Sequence, residues 1–228
     1  MDLAELLKSR GASLVGYANL SPVPAAVRRG LPRGVAFAVA LSPDVVLTLI
    51  DDPTRDYYAE YVRVNDLLNS LAHAAAEHLA AQGYAAFPQS ATVADLDDSR
   101  LSVVLPHKTV AARAGLGWVG RCALLITPEY GSAVRLGSVL TDAPLPAAKP
   151  ILESRCGDCV ACVDACPGGA PMGGEWKPGM PRDAFFDARA CYRTALARAQ
   201  AIGVREAICG RCICACPWTQ AYLERTRR

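Results

Sequence analysis

Cys156-Gly-Asp-Cys159-Val-Ala-Cys162-Val-Asp-Ala-Cys166-Pro167 is the stretch on which the reading of this chain turns. Three cysteines at this spacing wrap one face of a 4Fe-4S cubane. The fourth, ahead of a proline, is carried away to a second cluster. A second run should therefore exist. Reading backward from Cys216-Pro217, Cys212 and Cys209 stand at the expected distances, but the place of the first ligand is taken by Glu206. Cys191 is the unused upstream cysteine, so an insertion has displaced that ligand. The spacing then assigns Cys156, Cys159, Cys162 and Cys216 to one cluster and Cys166, Cys191, Cys209 and Cys212 to the other. Cys214 is left over and reads as structural.

Working outward, nine of the ten cysteines follow residue 155 and only Cys122 precedes them. A disulfide framework suits small secreted chains. Here the amino terminus, MDLAELLKSRG, carries Asp2 and Glu5 and reads as a first helix rather than a signal peptide. A cytoplasmic, reducing location is therefore expected. Zinc competes for any isolated CxxC pair, but CxxCxxCxxxCP recurring as CxxCxxxCP favours iron and sulfide. No apolar run reaches the roughly 18 residues of a membrane helix. At 52% hydrophobic and 20% charged, the 228 residues can bury a sizeable core. The formal charge of +2 falls to roughly −2 once two clusters, each about −2 with its thiolates, are counted. That is a poor footprint for gripping nucleic acid unaided.

Residues 1–150 mix helix and strand signals. SLVGYA and VAFAVAL read as buried strands, Tyr57 to Gln82 as the longest helix, with Tyr58, Val62, Leu68, Leu71, Ala75 and Leu79 on one side, and Gly83 as its terminator. SVVLP reads as a short strand, and CALLITPEYGSAVRLGSVLT as two strands around a turn at Glu129–Gly131. The strands do not alternate regularly with helices, so the class expected is an α+β sheet domain. After Pro150 the composition turns to Cys, Gly and Pro, with little apolar content to fold by itself. Two domains, 1–150 and 151–228, follow, with the boundary near 148–155.

Gly115, Gly117 and Gly120 crowd around Trp118, which fits either a tight turn packing the indole or backbone drawn close to something flat. The run AGLGWVGR at 114–121, YGS at 130–132, RLGSVLTDAPLP at 135–146, CGDCVACVDACP at 156–167, the separate Cys191 and CGRCICACPW at 209–218 together resemble the epoxyqueuosine reductase family. The resemblance is strong over about 100–220 and looser before it. It implies a nitroreductase-like, cobalamin-binding sheet domain followed by a ferredoxin-like double 4Fe-4S domain, and the displaced ligand Cys191 is also the family's arrangement.

By resemblance, Arg121 stands at the family's lysine, and Ser132 and Arg135 fall in the stretch facing the corrinoid. Lys108 and Trp118 are candidate neighbours, and Arg189 is a further candidate contact. The family's proton-donating aspartate aligns with Leu101, so Asp98 or His107 is the candidate acid here. The family's carboxy-terminal helical repeats are not among the 228 residues. A small molecule or modified nucleoside is accordingly expected as substrate rather than a whole tRNA. The implied activity is reduction at a bound cobalamin, fed through the clusters by a donor such as ferredoxin or flavodoxin. A flavin in the same cleft, and a non-catalytic electron carrier serving a partner enzyme, are the alternatives.

Overall fold

The computed structural model describes residues 1–91 and 101–227. The chain divides into two compact units, each assembled from three separate stretches. The first comprises Met1–Ala40, Val64–Gly117 and Arg135–Ile151, and the second Leu41–Arg63, Trp118–Val134 and Leu152–Arg228.

The first unit begins with α1 (Leu3–Ser9), whose Leu3, Leu6 and Leu7 are buried. Asp2 accepts from the Glu5 amide at 2.8 Å while the Glu5 carboxylate accepts from the Asp2 amide at 3.1 Å, a reciprocal cap that fixes the start of the helix. Four strands form one sheet in the order β1-β2-β6-β3. β1 (Leu14–Asn19) pairs antiparallel with β2 (Arg33–Ala40), Leu14 opposite Ala38. β3 (Ala86–Gln89) pairs antiparallel with β6 (Val134–Thr141), Gln89 opposite Ser138. Six consecutive residues of β2 are buried, which explains its apolar run without alternation: both faces are covered.

α4 (His107–Arg113) lies directly on β1 and β2. Two glycines allow this approach. A Cβ on Gly34 would stand 2.7 Å from Val110 Cγ1, and one on Gly16 would stand 2.6 Å from the Ala114 carbonyl oxygen. The long helix α3 (Arg55–Ala80) ends where its glycine predicts. Gly83 has φ +87°, and the amides of Gly83 and Tyr84 close on the carbonyls of Ala80 and Leu79. Leu68, Leu71, Ala75 and Leu79 are buried as expected, but Val62 is 39% exposed.

The second unit holds α2 (Pro43–Leu47), a small hairpin of β4 (Trp118–Val119) and β5 (Leu125–Ile126), and four helices: α5 (Ala161–Asp164), α6 (Ala188–Ala201), α7 (Arg211–Ala215) and α8 (Pro217–Thr226). Asp187 caps α6 by accepting from the Ala190 amide at 2.9 Å. The glycine- and proline-rich passage 168–186 is anchored from outside itself. Phe185, 1% exposed, packs on Val119 and Ala123, with Trp176, Met180 and Phe186 around it.

Two expectations need correction. SVVLP is no strand of the sheet: Leu101 is left-handed at φ +50°, and Pro106 serves as the N-cap of α4. In the CALLI…SVLT stretch the turn at Glu129–Gly131 does form, closed by reciprocal bonds of 2.9 Å between Thr127 and Gly131. Its two strands do not pair with each other, however. β5 pairs with β4 and β6 joins the sheet, because the hydrophobic run of β6 finds partners there on both sides. No helix among the described residues is long and apolar enough to cross a membrane.

Candidate metal centres and a histidine-lined cavity

Cys156, Cys159, Cys162 and Cys216 line one cavity of about 80 Å³ in the second unit, with Gly120, Arg121, Cys122, Ile126, Pro217 and Trp218 completing its wall. The cysteine run supplies three of the four from the loop around α5. The chain delivers Cys216 at the junction of α7 and α8, where Pro217 starts the next helix. This is the first ligand set that the spacing predicts. A Cβ on Gly120 would lie 3.6 Å from Cys156 Sγ and only 2.8 Å from Ile126, so a side chain there would fill the space beside the sulfur. Burial first, then the charge of Cys156, pushes the Cys216 thiol up; the Thr219 and Trp218 amides and the Ser132 hydroxyl act the other way.

Three of the second set lie near one another: Cys166 and Cys209 neighbour Cys191. Cys191, on α6, is pushed up to about 11 by burial first, then by its neighbours Cys166 and Cys209. Ligating thiols must be thiolates, and burial among like groups resists ionisation unless a cation supplies the missing charge. Zinc would draw four sulfurs to about 2.3 Å from one point. Thiols standing around a cavity are what a cubane asks for, since each cysteine takes a different iron. The donor chemistry agrees: Trp118 Nε1 and Arg121 Nε are buried without a hydrogen-bond partner among the described residues, and acceptor-rich sulfide would suit both.

Cys122 and Glu175 have no place in the sequence reading, yet both sit at this centre. Cys122, 3% exposed, hydrogen-bonds both Cys162 and Cys212, one cysteine of each ligand set. That bond is the largest cause holding the Cys162 thiol far above its ordinary value. Arg121, expected beside a corrinoid, is committed to the ligand loop. Its guanidinium donates to the carbonyls of Gly157 (2.6 Å) and Gly173 and lies 3.4 Å from Glu175. Ser132, 1% exposed, likewise lies on the cysteine side: its amide donates to Thr219 Oγ1 at 3.0 Å and its hydroxyl lowers the Cys216 thiol. Trp118 is fully buried, edge-to-face with Trp218 at 5.0 Å, and Arg155 lies 5.7 Å above its ring. Of the two readings of the glycines, the turn that packs the indole is the one observed, for a Cβ on Gly115 would meet the Lys149 carbonyl oxygen and one on Gly120 would meet Ile126. Cys214 is buried, its carbonyl accepting from Gln220 at 2.6 Å, as a structural residue would be. Arg189 is exposed on α6.

The first unit has its own cavity, about 510 Å³, walled by Val27, Phe87, Leu105 and Leu140 and opened to polar groups by Gln89 and His107. Arg29 lies over the Phe87 ring at 3.9 Å. His107 Nδ1 is 2.8 Å from Ser138 Oγ, and Nε2 is 3.0 Å from the Ser90 carbonyl oxygen. Burial first, and then Arg135 against the bond to Ser90, lowers the His107 pKa. Arg135 itself donates to Asn65 Oδ1 at 2.6 Å. Lys108 follows His107 on α4. Asp98, the other candidate acid, lies outside the described residues.

No family model matches the chain. The epoxyqueuosine reductase of Salmonella typhimurium is 31% identical over 206 residues, which cover 83% of this chain and 46% of that protein. The crystal structure of an epoxyqueuosine reductase with an epoxyqueuosine-modified tRNA-Tyr stem loop superposes with a TM-score of 0.64 at 22% identity, over 96% of this chain and 65% of that one. A reductive dehalogenase, whose structure suggests a mechanism for B12-dependent dehalogenation, gives 0.67 at 21% identity, over 94% and 31%. At those identities the likeness is one of fold. By sequence over most of its length, and by fold, the chain is a homologue of the epoxyqueuosine reductases, and it spans about half the length of the relative it matches at 31% identity.

Proposed function

We propose that the protein is an iron–sulfur oxidoreductase that passes single electrons through two 4Fe-4S clusters to a bound cobalamin, for reduction of a small molecule or a modified nucleoside. The observation that carries the reading is the gathering of Cys156, Cys159, Cys162 and Cys216 around one cavity. When bound, the clusters would supply one-electron transfer, and the corrinoid the chemistry of reduced cobalt.

The remaining work falls to this chain's own residues. The eight thiolates hold the clusters. Trp118, Ile126 and Trp218 keep water from the first set, Arg121 clamps its loop, and the Ser132 hydroxyl donates toward Cys216. In the first unit, apolar walls with one polar face suit a flat and largely apolar ring, corrin first and flavin second. His107, Lys108 and Arg135 are the polar groups proposed to serve it. Described cysteines that are all free fit a reducing compartment, and the cytoplasm is the proposed location, with ferredoxin or flavodoxin as donor. The stem-loop complex of the structural relative makes a modified nucleoside a reasonable substrate class, while a formal charge of +2 argues for little unaided grip on tRNA.

One observation favours the rival reading of a carrier without catalysis: Leu101 stands where the family has its aspartate, and Leu101 cannot give a proton. Anaerobic reconstitution separates the two. Iron and sulfide should each approach about eight per chain, four for each cubane. The protein is then mixed with hydroxocobalamin or a flavin, desalted, and its absorption spectrum recorded. Retained corrinoid supports the reductase; retention of neither leaves the carrier.

A further inference from the structure

His107 is held by a chain of hydrogen bonds that starts at Gln89. Gln89 Nε2 donates to the Leu105 carbonyl at 3.1 Å, which fixes the carboxamide and turns Oε1 toward Ser138. Ser138 Oγ stands 2.8 Å from that Oε1, an atom that can only accept, so the one hydroxyl proton of Ser138 is spent there. The same Oγ is 2.8 Å from His107 Nδ1. With its proton committed, Ser138 can only accept from the ring, and Nδ1 must carry a hydrogen. On the other side Nε2 faces the Ser90 carbonyl oxygen at 3.0 Å, again an atom that only accepts. Both ring nitrogens thus look at acceptors, and only the imidazolium satisfies both.

We propose that His107 is the proton-carrying group of this cavity, with Nδ1–H locked by the Gln89–Ser138 pair and Nε2 as the atom that gains and loses the proton. Its two influences oppose each other. The Ser90 carbonyl holds the proton on, while burial and the Arg135 guanidinium on β6 drive it off. Among the described residues, the other charged groups near it are Arg29, on the cavity wall, and Lys108, the next residue of α4. No carboxylate occurs among the described residues of the cavity wall. A proton held by a hydrogen bond yet pressed by positive charge is easily surrendered, as a general acid requires. Release moves one proton and no electrons: Nε2 keeps its lone pair, facing the Ser90 oxygen, and Nδ1–H stays on Ser138. That this proton serves a reduction rests on the function proposed above; the proton site itself does not, since it lies within the first unit.

The chain has three histidines, so ring nitrogen resonances of the uniformly ¹⁵N-labelled protein, clusters oxidised, can be followed one by one against pH. His107→Gln identifies the signals of His107. The neutral form of His107 is expected as the less usual Nδ1–H tautomer, with Nε2 titrating below the ordinary histidine value. Ser138→Ala should release the lock and move the neutral ring toward Nε2–H. A wild-type His107 that is Nε2–H when neutral overturns the proposal, and so does a tautomer unchanged by Ser138→Ala. Because no corrinoid or turnover enters the measurement, its failure is distinct from failure of the reductase reading.

Discussion

Paired cysteine replacements give a sharp test of how the ligands divide between the clusters. Five thiols line the first cavity, Cys122 and the four of the first ligand set, and Cys216 is among them although it lies only four positions after Cys212. Cys191 keeps company with Cys166 and Cys209. Each cubane holds about four irons, so the intact protein should carry about eight. Cys156→Ala with Cys216→Ala removes two ligands from one cluster and should leave about four irons. Cys212→Ala with Cys216→Ala removes one ligand from each, and although these positions are close in the chain it should leave almost none. Cys166→Ala with Cys191→Ala should again leave about four. The assay is iron and sulfide analysis after anaerobic reconstitution, with electron paramagnetic resonance of the dithionite-reduced protein. Within-set pairs should show one isolated reduced cluster instead of two interacting ones. Four irons in the Cys212/Cys216 pair and none in the Cys156/Cys216 pair would falsify the division and require Cys216 to stay with its sequence neighbours.

Three other outcomes are expected. Gly34→Ala should lower stability by about 1–3 kcal/mol through overpacking on Val110, and Val110→Ala by about 2 kcal/mol through a cavity. The double variant should cost clearly less than the sum in urea unfolding, and strict additivity would contradict the contact. Arg121→Met should lose roughly 1.5–3 kcal/mol from the charged bonds to the 157 and 173 carbonyls, seen as faster iron loss to a chelator, and Arg121→Lys should restore little because an ammonium is not a fork. Glu60 concerns pH: burial pushes its carboxyl up, but Arg63 and the Ser42 amide outweigh that, and its folded pKa is lowered. A lowered acid contributes stability that is present above its unfolded value and lost as pH falls through the folded one. Glu60→Gln should therefore flatten the acid limb of a stability–pH curve without steepening the alkaline limb.

Much of the arrangement was legible because the signals were local and chemically narrow. The spacing from Cys156 to Cys166 and the Cys216-Pro217 pair specify candidate ligands by distance along the chain, and Cys156, Cys159, Cys162 and Cys216 do line one cavity. The capped first helix and the glycine at the end of α3 were equally readable, since termini obey nearest-neighbour rules. Strand partners were not readable: Leu125 and Val139 look alike as apolar residues, and only the assembled sheet tells which edge each one joins. Cys122 carries no such signal, because a single cysteine far upstream has no spacing to interpret. Gln89 and Ser138 were invisible for the same reason, being ordinary polar residues whose meaning comes from the antiparallel register that sets them opposite each other.

The interleaving of the two units has a consequence for the order of synthesis. The unit that gathers the cysteines takes Leu41–Arg63 and Trp118–Val134 from far upstream. A fragment starting at residue 151 would lack Trp118, Gly120, Arg121, Cys122 and Ser132, and with them much of the wall around its own thiols. It could not be expected to behave as a free-standing ferredoxin. In order of synthesis the first cavity stays one lining sulfur short until Cys216 is made, long after Cys156, Cys159 and Cys162.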